Sequence, residues 1–91
     1  MEMIAVLLKI DGENVAETLQ EACEKLDSAD GEVVLDFSSV RRIDPSALTA
    51  MEKLAGAADD KDVKVVLRGV HVEVYKVLKL MKVASRFSFL N

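Results

Sequence analysis

Cysteine, proline and histidine each occur once in these 91 residues, glycine four times, and the aromatics amount to three phenylalanines and one tyrosine. Each scarcity closes off a class of function. A lone Cys23 cannot form an internal disulfide, which points to a reduced, cytoplasmic setting, and without a Cys/His pair at ligand spacing there is no zinc-type metal site. The single His71 lies at a turn, where a solvated or capping role outweighs catalysis, because a catalytic base needs a nucleophile and an orienting group beside it. Gly12, Gly31, Gly56 and Gly69 are isolated, so neither a dinucleotide fingerprint nor a phosphate loop can be assembled. Four aromatics are too few to stack nucleic-acid bases. No apolar run approaches the roughly 20 residues of a bilayer span, and no basic segment precedes a signal-type apolar stretch. The sequence therefore argues against an enzyme, a cofactor binder, a nucleic-acid binder and a membrane-inserted protein.

What is present is a well-filled small core and an uneven charge. About half of the residues are apolar, which suits one domain spanning residues 1–91. Residues 1–36 carry two basic and ten acidic side chains, whereas residues 37–91 carry ten basic and six acidic. Such polarity suits a protein surface as partner. The acidic run Asp59-Asp60-Lys61-Asp62 lacks the glycine and distal glutamate of a calcium loop and reads as a solvated turn.

Apolar runs alternate with segments of helical period, the pattern of a parallel α/β sheet. Strands are expected at Met3–Ile10, Glu32–Phe37, Val63–Leu67 and Ser85–Leu90. The intervening helices are expected at Val15–Leu26, Pro45–Ala58 and Val72–Lys82. Asn14 as N-cap with Glu17 three residues later predicts a capping box. The inner stripes are Val15, Leu19, Ala22, Cys23 and Leu26; then Leu48, Met51, Leu54 and Ala55; then Val74, Val77, Leu78 and Met81. Cys23 is thereby read as a core residue. Right-handed crossovers wind this order into a (βα)n superhelix: a mostly parallel sheet of about four strands in chain order, with the helices on one side. The other face of the sheet would then lack a cover, which invites a homodimer or a partner unless Lys9, Asp36, Lys64 and Arg68 keep it in water.

The stretch from VVLDF through SSVRRI to Asp44-Pro45-Ser46 is the richest in function. Asp44 suits the N-cap and Pro45 the first helical position. Ser46 then falls at the second, on a strand-to-helix connection, where a phosphate would meet helix amides. Ser38, Ser39 and Thr49 are neighbouring hydroxyls, and capping alone is a sufficient reason for a serine at a helix start.

The block VVLDFSSVRRIDPSALTAMEKLAGAADDKDVKVVLRGV resembles the STAS domain of bacterial anti-sigma-factor antagonists, with Asp44-Pro45-Ser46-Ala47 in place of the family's Asp-Ser-Ser-Gly or Asp-Ser-Ala-Gly. The Ala16–Leu19 segment extends the likeness upstream, so nearly the whole chain is covered. The resemblance implies that Ser46 is the residue phosphorylated by an anti-sigma factor with serine kinase activity. It also implies a docking surface made of Ser38, Ser39, Arg41, Arg42, Asp44, Ser46, Thr49, Ala50 and Lys53. Small STAS subunits that bind the ATPase of a lipid-transport system, and scaffolds of stress-signalling assemblies, carry a serine or threonine at the same place, so these remain alternatives. Four departures stand out. Pro45 replaces a serine that commonly precedes the phosphorylated one, a change that is harmless at a helix start. Ala47 replaces a glycine and is expected to thicken the surface beside the hydroxyl. Met81-Lys82-Val83 replaces Ser-Gly-Leu, removing a glycine that would end the third helix. An additional first strand, common in the family, has no counterpart before Met3–Ile10.

Overall fold

The computed structural model describes residues 6–29 and 31–90. Among the described residues four strands and three α-helices alternate: β1 Val6–Lys9, α1 Val15–Glu24, β2 Glu32–Asp36, α2 Pro45–Lys61, β3 Lys64–Arg68, α3 Val72–Leu80 and β4 Ser88–Leu90, with single 3₁₀ turns at Lys25–Ser28 and Ala84–Arg86. The strands lie in chain order, β1-β2-β3-β4, and every pair is parallel. The expected start of the first strand, residues 3–5, lies outside the described residues.

Side-chain alternation decides which face meets the helices. Val33, Leu35 and Phe37 from the second strand region, and Val65 and Leu67 from β3, join Leu19 and Ala22 of α1, Met51, Leu54 and Ala55 of α2, and Val74 and Leu78 of α3 in one buried cluster. All three helices therefore pack on a single side of the sheet. No helix is long and apolar enough to cross a membrane among the described residues.

Local chemistry moves several boundaries. Asn14 flanks α1 but makes no side-chain cap, so the capping box does not form. Asp11 is the reason: one carboxylate oxygen accepts from the Glu13 N–H at 2.9 Å and the other from the Asn14 side-chain amide at 3.3 Å, diverting Asn14 from the helix. Helix α2 runs one turn beyond the expected Ala58, because Asp59, Asp60 and Lys61 continue the helix and Asp62 takes the left-handed conformation (φ 59°) that closes it. Lys61 ion-pairs there with Asp27, and Asp59 with Arg86 at 2.9 Å.

At the end of α3, Lys82 adopts φ 62°. The Val83 N–H reaches the Leu78 carbonyl at 2.9 Å and the Lys82 N–H the Lys79 carbonyl at 3.1 Å, the paired bonds of a Schellman motif. A lysine thus occupies the turn a glycine would fill, and the helix stops at Leu80 rather than Lys82. Met81, expected in the inner stripe, is swung outward to 50% exposure.

Candidate functional site

Three loops meet at the carboxyl ends of the strands, and the middle one leads into α2. After β2 the chain turns tightly: Phe37 N–H bonds the Arg68 carbonyl at 2.8 Å, and Val40 N–H bonds the Phe37 carbonyl at 2.9 Å. Asp36 anchors this turn by accepting from the Ser38 N–H at 2.9 Å. That bond, helped by the neighbouring Arg68 and Lys9 cations, holds the Asp36 carboxyl below its ordinary pKa of 3.8. On one flank Gly12 presses against the turn so closely that a Cβ there would fall on the Ser39 carbonyl oxygen. On the other, Gly69 (φ 70°) backs onto Ser38, and the His71 Nε2–H donates to the Ser38 carbonyl at 2.8 Å. His71 sits at the α3 N-cap position without capping it; its ring instead fastens the third loop to the second.

Arg41, Arg42 and Asp44 follow, all exposed. Asp44 is the N-cap of α2, its carboxylate accepting from the Ala47 N–H at 2.8 Å, with Pro45 at the first helical position. Ser46 is exposed at the second position. Ala47 is only 1% exposed: its methyl turns into the protein and does not thicken the surface beside the Ser46 hydroxyl, contrary to expectation.

From Ser46 the outer face of α2 continues through Thr49, Ala50 and Lys53, which the helical period aligns. These four form one wall of a groove of about 420 Å³, whose other wall is Ala16, Gln20, Cys23 and Glu24 of α1. Thr49 turns its hydroxyl back to the Pro45 carbonyl at 3.0 Å. Cys23 is half-buried, touching the core on one side and lining the groove on the other. It is therefore not the purely internal residue that its place in the stripe predicts.

The structure thus brings Ser46, Thr49, Ala50 and Lys53 to one groove and sets Asp44 at its end, while Ser38, Ser39, Arg41 and Arg42 belong to the loop that delivers the chain into α2. The α1 wall is what sequence reasoning missed. Its signal was present in the polar side of α1, where Ala16 and Gln20 share a face with the stripe residue Cys23.

The electrostatics of the first turn of α2 also differ from expectation. Pro45 has no N–H, the Ala47 N–H is held by the Asp44 carboxylate, and the Leu48 N–H by the Asp44 carbonyl at 3.0 Å. The amide of Ser46 is the one donor of that turn left for an incoming anion, so the helix start offers much less to a phosphate than a bare N-terminus. Among the described residues no group of three or more His, Cys, Asp or Glu side chains is placed to hold a metal.

Among the described residues the parallel α/β domain carries a groove between α1 and α2. Residues 3–89 match the family model described as "Mlab, STAS domain". The chain belongs to the STAS domain family. Comparison with curated protein sequences gives no match.

Proposed function

We propose that this protein is a binding switch of the anti-sigma-factor-antagonist type, which docks an anti-sigma factor with serine kinase activity on the α1/α2 groove and is released by phosphorylation of Ser46. The observation that carries the reading is the position of Ser46: exposed, at the second residue of α2, in the wall of the α1/α2 groove. Phosphorylation brings nearly two negative charges. They would arrive beside the Asp44 carboxylate with a single free amide to receive them, so most of the new charge would face whatever occupies the groove. Loss of a few kcal/mol of binding, on the order of a hundredfold in affinity, suffices to release a partner. Arg41 and Arg42 stand on the approach to α2, where they would meet acidic groups of the partner.

A second reading has an observation of its own. The matching family model carries the Mlab description, which favours a STAS subunit docked on a transporter ATPase through the same groove, with Ser46 as a contact residue.

Incubation with the anti-sigma kinase and ATP, followed by mass spectrometry, separates the two. Phosphate on Ser46, with partner release by Ser46→Asp, supports the switch. No phosphate, together with stable capture of a transporter ATPase that Lys53→Glu abolishes, supports the second.

A further inference from the structure

The sheet has a second face, opposite the helices, and strand register arranges it in three rows. Glu32 lies beside Lys64; Leu7 beside Val34, Val66 and Ser88; Lys9 beside Asp36, Arg68 and Leu90. An apolar row therefore runs between two charged rows. Leu7 and Leu90 stand 57% and 54% exposed, and Val66, although buried, is no part of the core under the helices.

The charges are sorted by strand. In the two outer rows β2 supplies the acids, Glu32 and Asp36, and β3 the bases, Lys64 and Arg68, at matched register. Within one molecule this sorting gives neighbouring opposite charges across two strands. It also makes the face complementary to itself in one particular arrangement. We propose that this face is a self-association surface whose occupant is a second copy of the same chain, related by a two-fold axis that runs along the strands midway between β2 and β3.

That axis exchanges β2 with β3. It sets Glu32 over Lys64 of the second copy, Val34 over Val66 and Asp36 over Arg68, and symmetry repeats each contact. The alternatives are disfavoured by sign: an axis along β2 puts Asp36 on Asp36, and an axis across the strands puts Glu32 on Asp36 and Lys64 on Arg68. Two sheets stacked this way adopt the aligned packing of sandwiches, about 10 Å apart. Four strands about 4.8 Å apart and rows about 3.3 Å per residue make a face roughly 15 Å on a side, below the approximately 800 Å² per partner of a standard interface. The dimer is accordingly weak and concentration-dependent. It leaves the α1/α2 groove of each copy facing outward, because that groove lies on the opposite layer.

Sedimentation velocity on the full chain across a wide concentration range tests this. The wild type is expected to shift from monomer to dimer as concentration rises. Glu32→Lys and Lys64→Glu are each expected to remain monomeric, since each sets like charges against one another twice. An equimolar mixture of these two variants is expected to recover the dimer, because each altered residue then meets its complement on the other chain; the broken pair within each chain is not mended by mixing, and neither is misfolding. A wild type that stays monomeric at every concentration, a dimer that neither variant weakens, or variants that mixing fails to rescue overturns the proposal. So does a dimer lost instead in Leu80→Glu, which lies on the outer face of α3.

Discussion

At Asp44 one carboxylate does two things that matter to the site. It closes the start of α2 by taking the Ala47 amide, and it removes a donor from which a phosphate on Ser46 would otherwise benefit. Asp44→Ala is expected to lower stability by about 1 kcal/mol, the usual cost of losing a cap, in urea unfolding. Ser46→Ala, which removes an exposed hydroxyl, is expected to stay within about 0.5 kcal/mol of wild type. Gly12 is a residue of the opposite kind. It has no chemistry, yet a side chain there would collide with the Ser39 carbonyl, so backbone rather than a yielding side chain must move. Gly12→Ala is expected to destabilise the domain by more than about 1 kcal/mol and to shift the amide resonances of Ser38–Arg42 in an NMR spectrum, although Gly12 lies outside the groove.

Helices and strands were legible because their apolar periods are clean. VVLD and VKVVL read as strands, and the stripes of α1, α2 and α3 found Leu19, Met51, Leu54, Val74 and Leu78, all buried. The ends were less so, and for a definite reason: a helix stops where its last carbonyls find donors, and that depends on which residue accepts a positive φ. Asp62 and Lys82 do so here, and neither residue type announces it. Asn14 shows the same limit at a helix start, since its competitor Asp11 is three residues away and only the folded turn reveals which pairing wins. As for the site, the Asp44-Pro45-Ser46 start of α2 could be read directly, whereas its α1 wall depends on how two helices lie side by side. Lys82 also yields a test at this scale. Lys82→Gly relieves a left-handed residue that costs an L-amino acid roughly 1–2 kcal/mol, partly offset by the freer unfolded chain, and is expected to raise the thermal midpoint by a few degrees in calorimetry.

Over the whole molecule, two carboxylates tie stability to pH. Asp11, held by the Glu13 amide and the Asn14 side chain, and Asp36, held chiefly by the Ser38 amide, both have folded-state pKa values below the ordinary 3.8. The unfolded chain therefore binds protons first as pH falls, so the stabilisation present above the ordinary aspartate range is lost as pH drops through the folded values. Unfolding free energy measured from pH 6 downward is expected to decline most steeply below about pH 4. The decline is expected to be shallower in the Asp11→Asn/Asp36→Asn variant.

The strands pair in the order in which they are made, and that has a consequence during synthesis. Each new βα unit leaving the ribosome finds its neighbour already present, so the domain grows from one side with no late strand threading between two earlier ones. The second crossover, which lays α2 beside α1, is completed when β3 joins β2. From that moment the cleft between those helices has both its walls, before α3 and β4 have been added.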